Sequence, residues 1–180
     1  MSLLYNLIFF VLYLLVLPKF IVRMIKRGGY AKDFCERFGI FSQAKLRQLS
    51  DSRRIWIHAV SVGELSVAFK IAEKLRRIHP HIPMAFSVTT STAHAIAEKR
   101  IGDNDILFYF PMDLPLFLRR VFKVVQPQLI VLIESELWPN LITFANKSNV
   151  PILLVNGRIS SSSFKGYLLL KSLFQKVLAG

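Results

Sequence analysis

Three short stretches of the sequence carry groups able to move a proton or to bind a polar ligand. Ser61-Val62-Gly63-Glu64 ends in a carboxylate. Glu134-Ser135-Glu136 supplies two more and runs on into Leu137-Trp138-Pro139-Asn140, while Asn156-Gly157-Arg158-Ile159-Ser160 adds a guanidinium and a hydroxyl. Carboxylates near a cation suit general-base chemistry on an alcohol, or the binding of a polyhydroxylated ligand. The same residues also have an architectural reading. Ser61 and Glu64 have the S-x-x-E spacing of a capping box, and Glu134 or Glu136 would favour the start of a helix at Leu137 through the helix dipole. From residue types and spacing alone, both readings of each stretch stand.

The elements that must carry these groups follow a strand-helix rhythm. Apolar, β-branched runs predict strands at residues 55–60, 84–88, 106–110, 129–133 and 152–156, and helical periodicity predicts helices between and after them, the last over 163–178. Continuous apolar strands joined by helices argue a parallel sheet covered on both faces, a doubly wound, Rossmann-like α/β fold with right-handed crossovers. Each polar cluster then sits just after a strand: Ser61 to Glu64, Thr89 to Thr92, Met112-Asp113, Glu134 to Glu136, and Asn156 onward. In such a sheet they gather at the carboxyl edge, where ligands bind. Gly63 is read there as a backbone position where a Cβ would hinder the required conformation or a close approach.

Three regions are expected: a membrane anchor and basic flank over 1–27, an amphipathic connector over 28–53, and the α/β domain over 54–180. Residues 3–17 are apolar apart from Asn6 and meet Pro18 and then Lys19, Arg23, Lys26 and Arg27. With no basic n-region before it and no small-residue cleavage site after it, this is not a good signal peptide. It either continues through Val22 to span a bilayer or stops at Pro18 and lies in one leaflet. The positive flank after it places the following domain in the cytoplasm. Within the connector, residues 45–51 read as polar and irregular.

A net charge of +13 over 180 residues calls for an anionic partner. No helix-turn-helix, RNP-like or zinc spacing accompanies it, so anionic lipid is favoured and nucleic acid is not expected. The single Cys35 forms no intrachain disulfide, and His58, His79, His81 and His94 make no metal motif, so no metal site is expected. G-x-G-x-x-G, the P-loop and G-x-S-x-G are all missing after the predicted strands.

Trp56-Ile57-His58-Ala59-Val60-Ser61-Val62-Gly63-Glu64, then Glu134 to Asn140, then Asn156 to Ser160, in that order and spacing, resemble the N-terminal half of the 3-deoxy-D-manno-octulosonic acid (Kdo) transferases, lipid A glycosyltransferases. Two positions depart from the family pattern: Thr92-Ala93 where it tends to Thr-Gly, and Gly157 where it has Ala. The resemblance implies a GT-B glycosyltransferase whose acceptor half is this chain and whose CMP-Kdo donor half lies in a C-terminal domain beyond Gly180. It implies inverting transfer of Kdo, without metal or other cofactor, from CMP-Kdo to a lipid A precursor (lipid IVA) in lipopolysaccharide biosynthesis, on the cytoplasmic face of the inner membrane. Glu64 would be the catalytic base. Ser61, Gly63, Glu134, Glu136, Trp138, Asn140, Arg158 and Ser160 would shape the acceptor pocket, and anionic inner-membrane lipids would be partners. The 180-residue chain alone is expected to be inactive. The alternative is a non-enzymatic, membrane-tethered α/β module that binds anionic lipid or phosphorylated sugar.

Overall fold

A computed structural model describes residues 3–27, 33–50, 52–134 and 137–158, together with Lys171 and Gln175. Five strands form one parallel sheet: β1 (Arg54–Ala59), β2 (Met84–Val88), β3 (Ile106–Tyr109), β4 (Pro127–Ile133) and β5 (Ile152–Val155), in the order β3-β2-β1-β4-β5. The chain winds outward from β1 through β2 to β3, then returns to lay β4 on the other side of β1. The point where the winding reverses is the gap between β1 and β4, so the ends of these two strands frame the crevice of a doubly wound sheet.

β1 is buried along its whole length because it is central and covered on both faces. Its side chains alternate between two cores. Ile55, Ile57 and Ala59 join Leu65, Ala68, Met84, Phe86 and Val131 on the face covered by α3 (Val62–Ile78) and α4 (Ser91–Glu98). Trp56 joins Phe108, Leu118, Val121, Ile130, Leu132 and Leu141 on the face covered by α5 (Pro115–Val125) and α6 (Pro139–Lys147). Pro115 and Pro139 each occupy the first turn of their helices, where the missing N–H would have had no helical partner.

The stretch expected to be an irregular polar connector forms a helix, α2 (Gln43–Ser50). Its only large apolar residues are Leu46 and Leu49, three apart. Leu49 is fully buried, and with Phe41 it enters the Trp56 core. So few apolar side chains on a polar helix leave little periodicity to read. A 3₁₀ turn (Phe34–Phe38) precedes it. The helix expected over 163–178 lies outside the described residues, apart from Lys171 and Gln175.

The N-terminal apolar segment is one helix, α1 (Leu3–Arg27), which continues through Pro18. Tyr5, Asn6, Phe9, Tyr13 and Leu17 form a half-buried stripe, whereas Leu7, Ile8, Phe10, Val11, Leu12, Leu14, Leu15 and Val16 are exposed. Among the described residues, no helix is long and apolar enough to cross a membrane.

Candidate active site

The carboxyl ends of the neighbouring strands β1 and β4 lead into Ser61 to Glu64 and into Glu134. After β1, Ser61 takes an extended conformation and caps α3, its hydroxyl accepting from the Glu64 N–H at 3.4 Å. The Glu64 carboxylate folds back and accepts from the N–H of Ser61 at 3.2 Å and of Val60 at 2.7 Å. This is a capping box with one extra donor. Glu64 is 5 % exposed, while Ser61, Val62 and Gly63 beside it are open to solvent. Each carboxylate oxygen has a second lone pair, so two backbone donors orient the group without exhausting it as an acceptor.

Gly63 does not need its glycine for backbone reasons. Its φ is not in the left-handed region, and a Cβ there would meet nothing nearer than the Ser61 hydroxyl at 3.9 Å. What the missing side chain leaves is a bare surface on the first turn of α3, next to Glu64.

Glu134 stands where β4 ends, in the left-handed region at φ 62°, with its N–H donated to the Val155 carbonyl. Because His58 pairs with Leu132, the continuing register puts Glu134 beside Val60. Asn156 follows β5 and is also left-handed, at φ 58°. Two non-glycine residues held in this sparsely populated region, at the neighbouring ends of β4 and β5, are the kind of backbone strain found at functional sites. Arg158 is exposed just beyond. Glu136 and Ser160 lie outside the described residues.

Trp138 and Asn140 make their contacts away from Glu64. The Trp138 ring lies 5.0 Å from Phe110 and 6.5 Å from Phe9 of α1, and its indole N–H has no hydrogen-bond partner among the described residues. Asn140 is buried, donating through its side-chain amide to the Asp113 carbonyl and to Asn6 Oδ1 at 2.8 Å.

Asp113, which the sequence places at this edge, and Arg37 and His58 beside it have partners that the sequence does not show. Asp113, fully buried, accepts from the N–H groups of Asn140 at 2.9 Å and Leu141 at 2.8 Å, and from the Tyr5 hydroxyl at 2.9 Å. It thus caps α6, whose own N-cap residue, Trp138, offers no side-chain acceptor. Burial pushes its carboxyl up to about 6 against the pull of those donors. Arg37 lies buried over the Tyr109 ring, 4.4 Å from its centroid, and donates to the Thr89 carbonyl at 2.7 Å. His58, on β1, stacks on Phe110 at 3.9 Å and meets the Ser87 hydroxyl at 2.9 Å through Nδ1. That hydroxyl accepts the Trp56 indole N–H. Burial pushes the imidazole down to about 3, outweighing the Ser87 carbonyl, so it is neutral at physiological pH. In the hydroxyl run after β2, Ser87 serves this buried network, and Thr90 caps α4 by accepting from Ala93 N–H at 3.2 Å.

One group of possible metal ligands comes together among the described residues: Asp33, Glu36 and His94. Lys45 already supplies a cation there, bound to Glu36 and 4.0 Å from Asp33.

The family described as 3-Deoxy-D-manno-octulosonic-acid transferase (kdotransferase) matches residues 32–180. The chain belongs to the Kdo transferase family. Among curated relatives, the 3-deoxy-D-manno-octulosonic acid transferase of Haemophilus influenzae is 34 % identical over 143 residues, covering 79 % of this chain and 33 % of the relative. That of Rickettsia conorii is 37 % identical over 142 residues, 78 % of this chain and 30 % of the relative. A bifunctional glycosyltransferase/methyltransferase of Fusobacterium nucleatum is 35 % identical over 167 residues, 87 % of this chain and 26 % of the relative. The chain therefore spans between a quarter and a third of the length of these relatives. The matched Kdo transferase region contains all three motifs and the whole described sheet.

Proposed function

We propose that this chain is the acceptor-binding, base-carrying half of an inverting Kdo transferase that moves Kdo from CMP-Kdo to a lipid A precursor, without a metal, at the cytoplasmic face of the inner membrane. The observation that carries this reading is the Glu64 carboxylate, buried at the β1/β4 switch point and oriented by the N–H groups of Val60 and Ser61. In the reaction, an acceptor hydroxyl oxygen attacks the anomeric carbon of Kdo from the face opposite CMP. The bond to CMP breaks and its electron pair leaves with the nucleotide. The hydroxyl proton passes to Glu64, and the opposed approach inverts the configuration. Glu134 and Asn156, left-handed at the ends of β4 and β5, would present polar groups to the acceptor sugar together with Arg158.

Glu136, Ser160, Trp138 and Asn140 remain part of the proposed acceptor wall by family resemblance. The exposed apolar side of α1 supports seating along the membrane interface, from which a lipid acceptor reaches the edge without leaving the bilayer surface. The deciding experiment joins this chain to the C-terminal part of a relative and measures Kdo transfer. Glu64→Gln keeps one of the two N–H bonds through its amide oxygen but cannot take the proton. The expected outcome is a kcat lower by about 10²-fold or more with the fold intact; retained activity would overturn the assignment. Acceptor binding without transfer in every joined form would leave a binding module instead.

A further inference from the structure

The inner side of α1 is wired to the start of α6. Three of its residues that touch the domain carry polar or aromatic groups with specific partners. The Tyr5 hydroxyl donates to Asp113, Asn6 accepts from the Asn140 side chain, and Phe9 packs edge-on against Trp138. Asn6 is the one strongly polar residue in an otherwise apolar run, and an amide on a helix serving only to anchor in lipid would be a cost without a return. Here it meets the N-terminus of a helix with no cap of its own.

Asp113 stands at the centre. Its two oxygens hold the first free N–H groups of α6, and one of those oxygens also takes the Tyr5 hydroxyl. Trp138 and Asn140 open this helix, so their placement depends on how the start of α6 is held. Trp138 is clamped between Phe9 of α1 and Phe110, and Phe110 stacks on His58 of β1, two residues before Val60.

Resting on the Kdo transferase reading, we infer that Asp113, Tyr5 and Asn6 are positioning residues: seating α1 on the start of α6 sets Trp138 and Asn140 in the geometry that receives the acceptor. α1 is then a wall of the acceptor site as well as a surface for lipid.

The test uses Tyr5→Phe/Asn6→Ala, which removes both polar contacts and leaves Asp113 and the outer side of α1 unchanged. In this chain, amide hydrogen exchange at Asn140 and Leu141 is expected to speed up by about tenfold, because their acceptor loses its tether. In the joined enzyme, KM for the lipid acceptor is expected to rise by about tenfold while KM for CMP-Kdo stays constant. Binding to vesicles of phosphatidylethanolamine and phosphatidylglycerol should not change, whereas Leu12→Ser/Leu15→Ser on the outer side should weaken it. An unmoved acceptor KM, unchanged exchange, or a KM rise matched by lost vesicle binding would each overturn the positioning role. No transfer by the unsubstituted joined enzyme would instead overturn the Kdo reading, and this inference with it.

Discussion

Two buried titratable groups, His58 and Asp113, pull the acid stability of the domain in opposite directions. His58 has a folded value near 3 against an ordinary 6.5, so below 6.5 the unfolded chain gains a proton that the folded chain refuses. Its contribution is fully present above 6.5 and is lost as pH falls toward 3, by about 1.4 kcal/mol per unit. Asp113 has a folded value near 6 against an ordinary 3.8, so its burial as a carboxylate costs stability above 6, and that cost is relieved as pH falls to 3.8. Between 6 and 3.8 the two slopes offset one another. Urea midpoints for the parent should change little across that window. His58→Gln should make the domain gain stability on acidification, and Asp113→Asn should make it lose stability steeply. Parallel pH profiles for the two variants would sink the account. Neither group was legible as perturbed in the sequence, because burial of a strand histidine between Phe110 and Ser87 is settled by residues 52 and 29 positions away.

Caps show which elements a sequence can specify on its own. The start of α3 was readable from Ser61 and Glu64 because donor and acceptor are three residues apart. Ser61→Ala should cost about 1 kcal/mol in thermal or denaturant unfolding. For the start of α6 the sequence offers Glu134 or Glu136, the nearest carboxylates, as one of two open readings. The cap that the structure shows there is Asp113, 27 and 28 positions before the N–H groups it holds, a pairing that exists only once the start of α5 and the start of α6 are adjacent in space. Asp113→Ala leaves two buried N–H groups without an acceptor and should cost about 2–3 kcal/mol, more than the local cap at α3. A smaller loss than for Ser61→Ala would mean water replaces Asp113 readily. Helix α2 was missed for a related reason, since Leu46 and Leu49 gain their meaning from the core they enter rather than from a pattern of their own.

At the scale of the whole molecule, the parallel sheet and its carboxyl edge were legible because five apolar runs alternate with helices, and each polar cluster follows a strand. The half-sided character of α1 was not, since an apolar run with one asparagine reads equally as a span or a surface helix. The structure gives α1 an inner stripe at every fourth residue from Tyr5 to Leu17, with Leu15 opposite it 71 % exposed. On the proposed reading, that outer side enters the headgroup boundary while the net charge of +13 draws the chain to anionic lipid. These two contributions separate with salt. Raising ionic strength from about 0.1 M to 1 M shortens the screening length from about 10 Å to 3 Å and weakens the charge term, while burial of apolar side chains persists. Sedimentation with phosphatidylglycerol vesicles should therefore fall with salt to a plateau rather than to zero. Leu12→Ser/Leu15→Ser should remove that plateau and keep the salt-sensitive part. If binding vanished with salt in the parent, charge alone would hold the chain at the membrane, and the outer side of α1 would need another partner.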